Sequence, residues 1–114
     1  VFGILHLGNP NATWLSAVGI FFAGVFLAYG YLRTKQLWLP IGLHIGWNFF
    51  EGVIFGFPVS GLDIYRLTRI TVEGPELWTG GAFGPEAGLV LLPALTLGAG
   101  LIYAYTQKEA IKKV

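Results

Sequence analysis

The sequence predicts an all-α fold, a polytopic bundle of transmembrane helices, and two observations carry that reading. Of 114 residues, 54% are hydrophobic and only 11% are charged, against roughly 25% charged in an ordinary soluble domain. There is too little charge to coat a surface in water. Three apolar stretches, residues 14–32, 37–57 and 87–105, also come close to the length of about 20 residues that a helix needs to cross the hydrocarbon core.

Residues 1–7 read as the tail of a fourth helix, stopped by the turn cluster Gly8-Asn9-Pro10-Asn11. The first and third stretches contain no charged residue, and the second contains only Glu51, beside His44. Trp14, Trp38, Tyr103 and Tyr105 fall near segment ends, where interfacial aromatics anchor a span. Trp47 does not, and is expected to pack inside the bundle. Small residues recur four apart at Gly42/Gly46, Gly52/Gly56, Gly24/Ala28 and Ala94/Gly98, a spacing that lets helices approach closely in lipid. Pro40 falls in the first turn of its helix at little cost, whereas Pro93 lies inside the last stretch and is expected to kink it.

The connection spanning residues 58–85 is rich in Gly and Pro, and reads either as a lid or re-entrant segment or as a solvated connector. The short link Arg33-Thr34-Lys35-Gln36 is basic, as is the tail with Lys108, Lys112 and Lys113, so both are expected on the cytoplasmic side. Seven bases against six acids leave no basic footprint for nucleic acid. Absence of cysteine excludes disulfides, thiolate metal sites and a cysteine nucleophile. The chain opens without methionine or a signal peptide, and is expected to be the C-terminal part of one longer domain.

Ionisable groups inside a span are expensive, so each is a site hypothesis. His44 and Asn48 are four residues apart and Glu51 three further on, which places all three on one helix face. His6 is the second intramembrane histidine.

Phe2-x3-His6 and His44-x3-Asn48, in that order, resemble the second and third motifs of the CPBP family, the CAAX-protease and bacteriocin-processing (Abi and Rce1-like) intramembrane proteases. The likeness continues through the surrounding residues 2–10 and 37–49 and into residues 56–61 and 79–88, which are similar to segments common in bacterial members. The resemblance implies a multi-pass protein of a bacterial cell membrane that hydrolyses membrane-associated peptide or protein substrates. It implies catalytic roles for three residues. His6 would orient or activate water, and His44 with Asn48 would stabilise the oxyanion. The family's first motif, Glu-Glu-x3-Arg, does not occur in these residues and is expected upstream. A divalent metal such as Zn²⁺ on His6 and His44 stays open, since a catalytic zinc takes three protein ligands plus water.

Glu51 is expected to be a pore-facing or paired carboxylate whose conversion to glutamine leaves activity intact, and Glu86 to open the last helix, where the dipole favours it. A geometric difficulty attends the pair of histidines. His6 ends its helix, whereas His44 sits well inside the next-but-one. The rival readings are a non-catalytic partner-binding or immunity protein of the same fold, and a bis-histidine haem-binding membrane subunit.

Overall fold

The computed structural model describes residues 1–112, with side chains through Lys108. All its regular elements are helical, apart from a single bridge between Val59 and Leu62. A short α1 (Phe2–Leu5) tightens into a 3₁₀ turn (His6–Gly8), followed by α2 (Trp14–Thr34) and α3 (Trp38–Asn48). α3 continues as a π-helical turn (Phe49–Ile54). Beyond the loop come α4 (Glu76–Thr79), two 3₁₀ turns (Gly81–Phe83 and Pro85–Ala87), and α5 (Leu91–Lys112).

α2 starts where a reciprocal cap forms. Ser16 N–H donates to Thr13 Oγ1 at 3.1 Å, and Thr13 N–H donates to Ser16 Oγ at 2.8 Å, satisfying two donors that a bare helix start leaves orphaned. It stops at Lys35, whose φ of 55° cannot continue a right-handed helix. Among the described residues this helix is long and apolar enough to cross a membrane, with a mean hydropathy of 1.9.

Contacts fix the order of the bundle. Gly19, Gly24 and Gly98 each face a neighbouring element at close range: Gly19 meets Glu86 and Leu91, Gly24 meets Phe2, and Gly98 meets Phe26. Arg33 donates two hydrogen bonds to Thr106 Oγ1 at 3.0 and 2.7 Å. The constant offset of these α2 to α5 contacts makes the two helices run parallel. Gly30 against Leu39 makes α3 antiparallel to α2, and Phe2 beside Gly24 with Gly3 beside Ala17 lays α1 antiparallel along the first half of α2.

The buried apolar centre is small: Ile20, Phe83 and Ala87, with Phe2 and Ala12 against it. Outward faces stay apolar, Trp14 and Trp38 being 78% and 80% exposed, as interfacial anchors require.

Several expectations change. The third stretch is not helical from residue 87; α5 begins at Leu91, so Pro93 falls in its first turn, where the missing amide costs nothing. Glu86 therefore sits in a 3₁₀ turn ahead of the helix, and the dipole of α5 is not what holds it. Gly42 and Gly46 face no atom within 4 Å of an added Cβ, so this pair packs no helix among the described residues. The long connection divides. Val59, Gly61, Phe83, Gly84, Glu86 and Ala87 are buried in the bundle, while residues 64 and 65 and 67–78 are exposed. Of the basic tail, Lys113 lies outside the described residues.

Candidate active site

A cavity of about 520 Å³ opens between α2, α3, α5 and the turn at Pro85–Ala87. Its walls are mostly apolar, with Phe26, Leu43, Phe50 and Leu95 among them. Its polar residues are His6, His44, Trp47, Glu51, Ser60 and Glu86. This is the usual build of a small ligand site, an apolar enclosure with a few convergent polar groups.

The antiparallel course of α1 removes the geometric difficulty over the histidines. Phe2 reaches the middle of α2 at Gly24, and its ring is the common neighbour of both imidazoles, 4.7 Å from His6 and 5.9 Å from His44 between centroids. His6 Nδ1 lies 2.7 Å from the Phe2 carbonyl oxygen. A carbonyl oxygen only accepts, so Nδ1 carries the proton and Nε2 of the neutral ring keeps its lone pair. That nitrogen can accept a proton from water.

Asn48 stands one helical turn beyond His44 and is half-buried, but it is not among the residues lining the cavity. Its Oδ1 is buried with no hydrogen-bond partner. Glu51 is 6% exposed, and both of its carboxyl oxygens lack a partner. A regular α-helix would keep His44, Asn48 and Glu51 on one stripe. The π turn that begins at Phe49 widens the helix by about one residue per turn, and Glu51, which lies within it, lines the cavity with His44.

Two residues beyond the sequence-predicted set belong to the same wall. Glu86 is 5% exposed and accepts from Ser60 twice, from N–H at 2.5 Å and from Oγ–H at 2.7 Å. Ser60 in turn offers its carbonyl oxygen to Asn9 Nδ2 at 2.9 Å, tying the turn after His6 to this loop. Gly19 makes the arrangement possible: a Cβ there would lie 2.0 Å from the Glu86 carbonyl oxygen. Gly84, at φ 113°, turns the chain into Pro85 in a conformation closed to other residues. The signal for Ser60 and Glu86 was present in the Gly- and Pro-bounded segments 56–61 and 79–88. It was outweighed by the simpler helix-dipole explanation of Glu86.

The Trp47 indole stands beside both carboxyls, without reaching hydrogen-bond geometry at Glu51. Among the described residues no three His, Asp or Glu side chains converge tightly enough to hold a metal ion. His6 and His44 alone do not close a ligand set.

The described residues thus combine helices, one of them apolar and long enough to cross a membrane, with a cavity holding two histidines and two buried carboxyls, groups suited to acid–base chemistry. Residues 1–50 match the family model described as Rce1-like, type II CAAX prenyl endopeptidase Rce1-like, a stretch that includes both histidine motifs. The match supports membership of the CPBP family, whose members are membrane-embedded proteases. No curated protein and no solved structure matches the chain.

Proposed function

We propose that the chain forms the site of a multi-spanning intramembrane endopeptidase of the CPBP type, which hydrolyses a peptide bond of a membrane-associated protein or peptide at or within the bilayer. One observation carries the reading. His6 and His44, distant in sequence and on separate elements, line one cavity against the same Phe2 ring.

The chemistry divides among them by their donors and acceptors. His6 Nε2, freed by the hydrogen bond from Nδ1 to Phe2, orients the attacking water and takes its proton. The substrate carbonyl sits at His44, whose ring N–H meets the oxygen as it becomes an oxyanion, and the Asn48 amide is the second donor. Within an apolar enclosure such donors act at low dielectric, where each supplies more than it would in water. The strong base that the family takes from its first motif is not among these residues.

The test is cleavage of a membrane-inserted peptide substrate by the intact protein and by its His6→Ala, His44→Ala and Asn48→Ala variants. Each substitution is expected to lower turnover by about 10²-fold or more with membrane insertion preserved. Undiminished turnover in any two of the three variants ends the reading.

A further inference from the structure

Glu51 is a carboxyl group buried in the cavity wall, and neither of its oxygens has a hydrogen-bond partner. Left so and ionised, it is costly, because a buried polar group without a partner forfeits the hydration it had in water. The neighbouring Glu86 is in the opposite condition, with two hydrogen bonds from Ser60 onto Oε2. Two carboxyls share one wall, and only one of them is provided with donors. Such a pair accommodates one negative charge and one proton, since like charges side by side in an apolar enclosure do not both ionise. The donors identify Glu86 as the charged member and Glu51 as the proton carrier. The other titratable groups lining the cavity are His6 and His44.

The backbone adds an independent observation. The helix passes to π geometry at Phe49–Ile54, immediately after Asn48, and Glu51, which lies in this turn, lines the cavity whereas Asn48 does not. π turns recur at functional sites.

We infer that Glu51 is a further catalytic residue, the proton donor to the leaving nitrogen of the scissile peptide. The inference rests on the endopeptidase reading above. The step balances within the cavity. Water oxygen bonds to the carbonyl carbon and its proton passes to His6 Nε2. The carbon–nitrogen bond then breaks, its electron pair goes to nitrogen, and the Glu51 carboxyl proton completes the amine. The proton held on His6 returns to Glu51 as products leave, which restores both groups.

The experiment compares two substrates of one sequence in the intact protein. One is the peptide, and the other is a p-nitrophenyl ester cut at the same carbonyl, whose phenolate departs without a proton. Glu51→Gln keeps shape and hydrogen-bonding capacity but holds no transferable proton. It is expected to lower kcat on the peptide by about 10²-fold or more, the usual worth of a positioned general acid. KM should stay within a few-fold, and the ester rate within a few-fold of wild type. Glu51→Asp is expected to recover part of the peptide rate, and thermal unfolding of both variants checks that the bundle is intact. Peptide cleavage by Glu51→Gln at the wild-type rate overturns the proposal, as does an equal loss on peptide and ester. If instead His44→Ala and Asn48→Ala cleave as wild type does, the assignment of the active site on which this inference rests has failed, whatever Glu51 does.

Discussion

Ser60 donates to Glu86 Oε2 from both its backbone N–H and its hydroxyl, at 2.5 and 2.7 Å, across 26 positions of sequence. The contact joins the first turn of the long connection to the turn that precedes α5, at the edge of the cavity that holds His6 and His44. It also reaches the other end of the site, because the Ser60 carbonyl receives Asn9 Nδ2. The loop around the cavity is thus held by polar contacts and by very few buried apolar side chains.

Removing the hydroxyl tests that bond. Ser60→Ala keeps the N–H donor and loses one charge-assisted hydrogen bond, worth about 1.5–3 kcal/mol. Thermal unfolding of the detergent-solubilised protein is expected to fall accordingly. Glu86→Ala should lose more than Ser60→Ala, since it leaves both half-buried Ser60 donors without an acceptor. Equal midpoints for Ser60→Ala and wild type would show the bond to be unimportant.

Gly19 and Gly46 give a matched pair. A methyl group at Gly19 meets the Glu86 carbonyl oxygen at 2.0 Å, so the turn at Pro85–Ala87 must move away from α2. Gly19→Ala is expected to destabilise by about 1–3 kcal/mol, the range for overpacking. Gly46→Ala meets nothing within 4 Å and is expected to be neutral or to stabilise by up to about 1 kcal/mol, because glycine is a poor helix former. Unfolding midpoints of the two variants in one detergent check the contrast.

At the far end of the bundle, Arg33 holds Thr106 through two nitrogens and lies 5.1 Å from the centroid of the Tyr103 ring. Thr106→Val removes the acceptor while keeping the shape. A loss of about 1–2 kcal/mol in unfolding free energy is expected, with cleavage unchanged because the contact is remote from the cavity. Loss of turnover at full stability would contradict that separation.

The tautomer of His6 is measurable. With Nδ1 bonded to the Phe2 carbonyl at 2.7 Å, ¹⁵N NMR of labelled protein should show Nδ1 protonated and Nε2 bare in the neutral ring. The reverse assignment would remove the lone pair on which the role of His6 depends.

Sequence reasoning read the larger features where the physics is additive. Residues 14–32 contain no charge, and α2 begins at Trp14 and runs two residues past the apolar stretch. His6 and His44 stood out because an imidazole among apolar neighbours needs an explanation. The rest depended on non-local contact. No periodicity announces that the helix after Asn48 changes to π geometry, or that Glu51 lines the cavity while Asn48 does not. Glu86 was open to a local explanation at a helix start, and only the fold shows that α5 begins five residues later. Pro93 misled for the same reason, since the apolar stretch is longer at its N-terminal end than the helix it contains.

Phe2 closes the matter of how two histidines come to work as one unit. Its carbonyl fixes which nitrogen of His6 bears hydrogen, and the edge of its ring supports His44. The tautomer of one imidazole thus answers to a main-chain oxygen, and the seating of the other to a ring without a single heteroatom. A mutational survey restricted to ionisable positions would pass over the residue that governs them both.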